Sequence, residues 1–278
     1  MFLLETIQRE SSICFPMLGG RSINPPASIS LFGREIYLYG IVVALAFAVG
    51  ILVSGRIAPK HGIRSDDFYD MMIRVIPLSI LGARLYFVLF QLDYYLAYPQ
   101  DIFAVWEGGL AIYGGIIAGV LTAWGFCRRK GITFPAMLDV MSFGVLIGQA
   151  IGRWGNFFNR EAFGAETEIF CRMGLTTPEG MTFWVHPTFL YESLWNILGF
   201  VLLCVYSRKH GKRFDGELIL FYFLWYGLGR SWIEGLRTDS LYLGSTSIRV
   251  SQLLSVLLVL ASGTILTLKY KSLREAKS

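Results

Sequence analysis

The amino-acid sequence predicts an all-α membrane protein with seven transmembrane helices, and three observations support this prediction. The 278 residues are 54% hydrophobic and only 16% charged, a balance that a water-soluble domain of this size rarely has. Seven apolar windows are each long enough to cross about 30 Å of hydrocarbon at about 1.5 Å per residue. Basic residues collect in alternate connections between these windows, as is typical of cytoplasmic loops.

The predicted spans follow one another through most of the chain. They lie near residues 37–55, 71–90, 110–127, 136–155, 187–206, 215–233 and 249–268. Between the fourth and fifth spans, residues 156–186 form an excursion that is long for a connection in a helical bundle, and loops of this length are often functional. Because the sequence shows no internal repeat, we expect a single polytopic membrane domain over residues 1–278.

The basic residues orient the spans. The connections after spans one, three and five, together with the carboxyl-terminal segment, hold 14 of the 25 lysines and arginines, whereas the outward segments hold 7. Since basic loops stay in the cytoplasm, we expect an external amino terminus, a cytoplasmic carboxyl terminus and an external excursion at 156–186. Orientation also explains the net charge of +5, so no nucleic-acid partner is expected.

The end of the fourth span carries the first candidate site. The apolar stretch 137–151 runs directly into the sequence G-R-W-G-N-F-F-N-R-E at 152–161. An arginine at membrane depth is costly unless it meets an anion or water, and its fork of donors suits two oxygens of a phosphate. We therefore predict that Arg153 binds an anion. Asn156 could orient the bound group or cap the end of the helix.

The sixth span carries a second signal. Tyr226, Arg230, Glu234 and Arg237 recur at intervals of four, four and three residues, so they share one helical face. They could form a ladder that only satisfies itself. With Arg153 at the same depth, however, two arginines facing one cavity repel each other unless an anion lies between them, and a phosphodiester could accept from both.

Further polar groups lie at the external ends of inward-running spans. Tyr39 begins span one, the glycine-rich segment 108–115 opens span three, and His186 precedes span five. Gly114 could allow close helix packing or backbone access to a headgroup, and His186 could be a base or an interfacial cap. Arg84, deep in span two, is a candidate to line the same cavity.

An acidic cluster suggests a metal site that the context does not favour. Asp66, Asp67 and Asp70 spell the D-D-x-x-D pattern by which some intramembrane transferases hold magnesium and diphosphate. No second acidic cluster completes such a site, and Ser65 with the two acids also matches an ordinary helix start, with Ser65 as N-cap. We therefore expect no metal and no other cofactor.

Two other protein classes would also use membrane arginines. In an anion or lipid transporter, the arginines would bind a substrate that passes through unaltered. The sequence lacks matched broken helices in two halves, and its polar ends gather on one side. A non-catalytic lipid-binding scaffold is the third possibility. A serine hydrolase is disfavoured because the sequence has no G-x-S-x-G elbow.

The run G-R-W-G-N-F-F-N-R-E-A-F-G at 152–164 closely resembles the signature of the bacterial prolipoprotein diacylglyceryl transferases. Three further blocks agree in family order: G-G-L-A-I-Y-G-G at 108–115, H-P-T-F-L-Y-E at 186–192 and Y-G-L-G-R-S-W-I-E-G-L-R at 226–237. The resemblance implies a seven-helix enzyme of the bacterial inner membrane with its active site toward the periplasm.

The family resemblance also implies a reaction and its partners. Such an enzyme moves the diacylglyceryl group of phosphatidylglycerol onto the lipobox cysteine of a prolipoprotein, which forms a thioether and releases glycerol phosphate. Its partners would be phosphatidylglycerol, prolipoprotein lipobox peptides and the membrane lipid bilayer.

The resemblance assigns roles to particular residues. It implies that Arg153 binds phosphatidylglycerol, that Arg230 is a second essential arginine, and that further important positions are Tyr39, Asn156, Glu161, Gly164, Tyr226 and Glu234. Together with Gly114, His186 and Arg237, these residues make up the expected phosphatidylglycerol site.

One position departs from the family pattern. Some members have histidine where this chain has Tyr113, and that residue is proposed to deprotonate the substrate cysteine. An unperturbed phenol, with a pKa of about 10, is a weak proton acceptor at neutral pH, although neighbouring arginines would favour its anion. By its position in the family pattern, Tyr113 is the candidate catalytic base of this chain.

Overall fold

A computed structural model describes residues 11–31, 33–104, 108–243, 246 and 248–276. In this part of the chain, seven helices of 19 to 26 residues follow the seven predicted spans in order. They are α1 (Leu38–Ile57), α2 (Ser65–Phe90), α4 (Ile112–Lys130), α5 (Phe134–Asn159), α6 (Thr188–His210), α7 (Glu217–Leu236) and α8 (Val250–Glu275), with a short helix α3 (Leu92–Ala97) after α2. The mostly helical structure agrees with the predicted fold class.

Five of the described helices are long and apolar enough to cross a membrane: α1 with the turn that follows it, α2, α5, α6 and α8. The other two long helices, α4 and α7, also contain charged residues within an otherwise apolar sequence. The last turn of α4 holds three basic residues, and α7 contains Glu217, Arg230 and Glu234.

The end of α4 shows how local sequence ends a helix. Gly131 follows with φ of +67°, a left-handed conformation that glycine adopts without strain. Its backbone N–H donates to the carbonyl of Cys127. The basic residues Arg128, Arg129 and Lys130 fill the last turn, where positive charge is favourable near the exposed carbonyl groups.

The sequence analysis did not predict the β-structure outside the helices. A four-stranded antiparallel sheet has the order β2 (Ser22–Ile23), β1 (Ser12–Cys14), β5 (Met173–Thr176) and β6 (Thr182–Val185), and β3 (Ser28–Leu31) pairs with β4 (Arg34–Tyr37). In the sheet, Ile13 lies opposite both Ile23 and Leu175. The segment between α5 and α6 therefore folds against the chain that precedes α1.

The chain divides into two compact units, a larger one formed by Met1–Gly50 with Ser142–Ser278 and a smaller one formed by Ile51–Met141. In the larger unit, an apolar cluster joins the sheet to the end of α5 and the start of α6. Its buried members are Ile13, Phe15, Met173, Leu175, Val185 and Phe189, with Phe157, Phe163 and Leu190 packed against them. This core fixes the two helix ends that carry the polar site.

In the smaller unit, α2 packs closely on α4 at Gly82 and Gly114. A Cβ atom on Gly114 would overlap the carbonyl of Gly82 and the side chain of Tyr86, so the backbones are in direct contact. This geometry corresponds to the packing role, one of the two roles expected for Gly114.

Arg84 holds the connection in front of α4. The side chain is buried, and its Nε donates to the carbonyl of Ile102 at 2.8 Å. Its Nη1 donates to Gly108 at 2.7 Å and Gly109 at 3.0 Å, while Nη2 donates to Asp101. All three guanidinium nitrogens therefore bind backbone carbonyls, so this arginine has a structural role.

The acidic start of α2 is an ordinary helix start with one difference from the prediction. Asp66 and Asp67 lie in the first turn, and Asp67 pairs with Lys130 at 2.7 Å. The predicted N-cap role of Ser65 is wrong, because its hydroxyl donates to the carbonyl of Gly55 at 2.8 Å. Within the described residues, no group of three or more His, Cys, Asp or Glu side chains could hold a metal ion.

Candidate functional site

Three arginines of the larger unit converge on one buried carboxylate. Glu192, in the second turn of α6, is only 5% exposed. Its Oε2 lies 2.5 Å from Nη2 of Arg153, and its Oε1 lies 3.2 Å from Nη1 of Arg230 and 3.4 Å from Nη1 of Arg237. Arg153 and Arg230 thus meet at one point, as their positions along the chain predict. The anion between them, expected to be a ligand, is here a side chain of the protein.

We call Arg153, Arg230 and Arg237, with the carboxylate of Glu192 between them, the arginine cluster. Two further carboxylates balance its charge. Nη2 of Arg230 lies 2.6 Å from Oε2 of the buried Glu234, one helical turn away on α7. Arg237 donates to both carboxylate oxygens of Asp239, at 2.9 and 2.6 Å. Burial acts to raise the pKa of Asp239, but the hydrogen bond and charge of Arg237 hold this pKa below its ordinary value. Of the predicted Arg-Glu-Arg ladder, the pair Arg230–Glu234 is formed on α7, whereas Arg237, just after this helix, pairs with Asp239 and Glu192.

Arg153 is the most open of the three arginines. Its side chain is 25% exposed, compared with 15% for Arg230 and 11% for Arg237. Of its donor nitrogens only Nη2 has a carboxylate partner among the described residues, which leaves Nε and Nη1 available. Two adjacent N–H groups on a planar guanidinium can bind two oxygens of one phosphate. The cluster can therefore accept an anion at the exposed edge of Arg153.

Asn156 and Glu161 stabilise the chain reversal after α5. The side-chain amide of Asn156 donates to Oε1 of Glu161 at 3.0 Å, and the backbone N–H of Glu161 donates to the carbonyl of Asn156 at 3.0 Å. Arg160 and Ala162 have φ values of +53° and +56°, which are uncommon for residues with a side chain. This reversal begins one turn after Arg153, at the end of the same helix.

Arg160 anchors the amino-terminal segment to this reversal. It is 2% exposed, and its Nε donates to the carbonyl of Ser11 at 2.5 Å. Nη2 donates to Oδ1 of Asn24 and to the carbonyl of Pro25, both at 2.7 Å. The sequence analysis counted Arg160 only as an outward charge, although its place in the 152–164 run was a usable signal.

Gly164 ties the segment after α5 to the ends of α6 and α7. Its N–H donates to the carbonyl of His186 at 2.9 Å, and the N–H of Ala165 donates to Leu236 at 2.8 Å. A Cβ atom on Gly164 would lie 2.7 Å from Cβ of His186 and 2.8 Å from the carbonyl oxygen of Leu236. Only glycine fits without displacement, and Arg237 follows immediately after Leu236.

His186 lies just before α6, next to Tyr191. Its Nδ1 is 3.3 Å from the Tyr191 hydroxyl group, which also lies 3.5 Å from Sγ of Cys171. Burial lowers the pKa of His186, which favours the neutral form of the imidazole. Its backbone N–H donates to the carbonyl of Ala165, which is consistent with a role in fixing the segment.

Two tyrosines expected at the site lie on α1 and α7 in the same unit. The ring of Tyr39 packs on Gly155, where a Cβ atom would lie 2.8 Å from Cδ2 of the ring. Tyr226 stacks on Tyr222 with ring centroids 5.9 Å apart, one turn before Arg230. Tyr39 thus contacts the helix that carries Arg153, and Tyr226 lies on the helix that carries Arg230.

The two remaining candidates, Tyr113 and Gly114, belong to the smaller unit. Tyr113 is the second residue of α4, and its side chain is 64% exposed. Gly114 is buried in the contact with α2 described above.

Glu192 is the main site residue that the sequence analysis missed. It is the last residue of the run H-P-T-F-L-Y-E and lies early in an apolar helix. A carboxylate within a membrane span is costly and usually functional, so the signal was present. It was overlooked because the expected counter-ion was the phosphodiester of a lipid.

Comparison with known proteins identifies the family. Residues 26–268 match the family model described as prolipoprotein diacylglyceryl transferase. The chain belongs to this family. The match confirms the resemblance seen in the sequence, and it covers the whole arginine cluster.

Relatives of this family are similar over nearly their full length. A protein of Finegoldia magna named phosphatidylglycerol–prolipoprotein diacylglyceryl transferase is 45% identical over 244 residues, which cover 88% of this chain and 95% of the relative. Proteins of the same name are 43% identical in Listeria welshimeri, covering 87% and 90% of the two chains, and 41% identical in Streptococcus equi, covering 84% and 91%.

Proposed function

We propose that the protein is a phosphatidylglycerol–prolipoprotein diacylglyceryl transferase, which catalyses the first step of lipoprotein maturation. It transfers the diacylglyceryl group of phosphatidylglycerol to the thiol of a lipobox cysteine, forms a thioether and releases glycerol phosphate. The observation that carries this proposal is the convergence of Arg153, Arg230 and Arg237 around Glu192. The names of relatives that are 41–45% identical over most of the chain support it.

The reaction is a substitution at carbon. The cysteine sulfur, after losing its proton, attacks the glycerol carbon that carries the phosphate ester, and the bond from this carbon to the ester oxygen breaks. The electron pair leaves with the phosphate. Negative charge thus moves from sulfur to the leaving group, and the enzyme must hold the two ends in line and stabilise this charge.

Arg153 is the proposed first contact of the leaving phosphate, because its Nε and Nη1 have no partner among the residues that the structure describes. Arg230 is the proposed second contact, with Arg237 beside it. Glu192 is a positioning residue in this account, since it holds the three guanidinium groups at one point before the lipid arrives.

Other residues are proposed to complete the phosphatidylglycerol site. Asn156, Glu161 and Gly164 fix the chain reversal beside Arg153, and Glu234 orients Arg230. The remaining proposed contacts with the lipid are Tyr39, Gly114, His186 and Tyr226. Tyr113 is the proposed acceptor of the cysteine proton.

We further propose that all seven long helices span the bacterial inner membrane as one polytopic domain. The amino terminus and the segment 156–186 would lie in the periplasm, the arginine cluster toward the periplasmic side, and the carboxyl terminus in the cytoplasm. The distribution of lysine and arginine among the connections supports this orientation.

Mass spectrometry of a lipobox peptide tests the proposed function. The purified protein is incubated with phosphatidylglycerol vesicles and either a cysteine peptide or the same peptide with serine. We expect the diacylglyceryl mass to be added to the cysteine peptide only. A transporter or a lipid-binding scaffold would leave both peptides unchanged, and this result would refute the proposal.

A further inference from the structure

A second feature of the larger unit is a cavity of about 460 Å³ between α6 and α7. None of the residues of the arginine cluster lines it. Its lining residues Leu202, Val205 and Leu228 are 47%, 43% and 46% exposed, so the cavity opens on the outer surface of these helices. For helices in a bilayer, this surface is reached from the lipid.

Aromatic side chains with partners elsewhere hold this cavity open. Trp225 stacks on Trp195 with ring centroids 4.2 Å apart, and each indole N–H donates to the other residue's carbonyl at 3.0 Å. Near the His210 end, Tyr206 donates to the buried carboxylate of Glu217 at 2.5 Å. The rings of Trp225 and Tyr206, which line the cavity, cannot move into it without losing these hydrogen bonds. The cavity is therefore preformed for an apolar chain.

One end of the cavity is basic. Lys209 and His210 line it and belong to the last turn of α6. Lys209 is exposed and has no carboxylate partner within the described part of the chain, whereas nearby Lys212 pairs with Asp215 at 2.6 Å. No acidic side chain is among the lining residues. A free ammonium group beside an apolar slot favours a ligand that joins a negative charge to a hydrocarbon chain.

We propose that this cavity is a binding site for an anionic phospholipid, separate from the arginine cluster. One acyl chain would fill the space between α6 and α7, and the phosphate would contact the ammonium group of Lys209. Basic pockets between membrane helices are a recognised form of anionic lipid site. The lipid belongs to the leaflet reached from the carboxyl end of α6, and the inference does not depend on the proposed reaction.

Native mass spectrometry tests this site with the full-length protein. The wild type and each variant are extracted from phosphatidylcholine vesicles that contain dioleoyl phosphatidylglycerol, and the retained lipids are counted. Leu202→Trp fills the cavity, and we expect it to retain one anionic lipid fewer than the wild type. Lys209→Ala should lower the affinity for this lipid roughly fivefold, as expected for one basic contact.

Matched controls locate the effect. The controls are Leu198→Trp, at an exposed leucine one helical turn before Leu202, and Arg208→Ala. Neither residue lines the cavity, so both variants should retain lipid like the wild type. Lys209→Glu changes an exposed residue only, so it tests the site even if Leu202→Trp does not fold. The arginine cluster is intact in every variant, so lipid bound there contributes equally to all.

Equal retention of phosphatidylglycerol by the wild type, Leu202→Trp and Lys209→Glu would overturn the proposal. Equal retention of phosphatidylcholine and phosphatidylglycerol at the cavity would also overturn it, because the site would then have no preference for charge. Peptide modification, measured in parallel, reports on the proposed reaction and is independent of either result.

Discussion

Single charged residues determine what the site can bind. Arg153, Arg230 and Arg237 share Glu192, and Glu234 and Asp239 supply the other two negative charges. Buried charges are tolerated when they are paired and hydrogen-bonded. The cluster is therefore preorganised without a ligand, and in the proposed reaction the phosphate of the lipid would meet guanidinium groups that are already in position.

Replacing Glu192 with glutamine tests this preorganisation. Glu192→Gln keeps the size of the side chain but leaves three guanidinium groups without their shared counter-ion. Breaking a buried pair in this way costs about 3–5 kcal/mol, so we expect a lower melting temperature and slower transfer to the lipobox peptide. Glu179→Gln, at an exposed acid, is the control. A variant with wild-type melting temperature and rate would show that Glu192 does not hold the cluster together.

Tyr113→Phe tests the candidate base. If the phenol accepts the cysteine proton, the variant should transfer more slowly, and the pH profile of transfer should lose the step that reports this group. Tyr98→Phe, an exposed tyrosine of the same unit, is the control. An unchanged pH profile in Tyr113→Phe would exclude the phenol as the base.

Charged residues that are energetically costly in an apolar span could be predicted from the sequence. Residues whose role depends on partners distant in the chain could not. Arg153 and Arg230 were predicted because a charge in an apolar span demands an explanation. Glu192 was missed because a lipid phosphodiester was the expected counter-ion, and because its three partners lie 39, 38 and 45 residues away in sequence. Arg160 was missed because its acceptors are mostly backbone carbonyls, which leave no pattern in a sequence.

At the scale of elements, the site depends on how the ends of α5, α6 and α7 are joined. The helices themselves were predictable, because apolar windows of this length are typical of membrane-spanning helices. The sheet was not, because strands of two to four residues are too short to show an alternating pattern. Backbone hydrogen bonds at Gly164 and Ala165 then bring the start of α6 to the end of α7.

Gly164→Ala tests this junction. The added Cβ atom would meet His186 at 2.7 Å and Leu236 at 2.8 Å, so the backbone must shift. We expect a loss of about 1–3 kcal/mol in stability, seen as a lower melting temperature, together with slower transfer because Arg237 moves with Leu236.

The matched control for this substitution is Gly263→Ala. Gly263 lies within α8, and a Cβ atom there would meet nothing within 4 Å. Its melting temperature and rate should equal or exceed those of the wild type, since alanine favours a helix more than glycine does. If both alanine variants behaved alike, close packing at Gly164 would not be what positions the site.

For the whole molecule, the proposed orientation rests on charge asymmetry. The last turns of α4 and α6 are basic, with Arg128, Arg129 and Lys130 in one and Arg208, Lys209 and His210 in the other. Basic residues near helix ends are retained in the cytoplasm. The family could be predicted from four sequence blocks, whereas the division into two units could not, because it depends on contacts distant in sequence.

Cysteine labelling in intact cells tests the orientation. In a background with Cys14, Cys127, Cys171 and Cys204 replaced by serine, a membrane-impermeant maleimide should label Glu179→Cys. Arg129→Cys should react only after the membrane is permeabilised. Labelling of Arg129→Cys before permeabilisation, with Glu179→Cys protected, would show that the orientation is reversed.

The most direct test of the account is the rate of diacylglyceryl transfer by Arg153→Ala and Arg230→Ala in phosphatidylglycerol vesicles. We predict that each variant remains inserted in the membrane but transfers on the order of 10²- to 10³-fold more slowly. Lysine at either position should restore little of the rate, because it lacks the bidentate fork. Arg34→Ala, on the exposed strand β4, should behave as the wild type. If either alanine variant modified the lipobox peptide at near the wild-type rate, the arginine cluster would not stabilise the leaving phosphate.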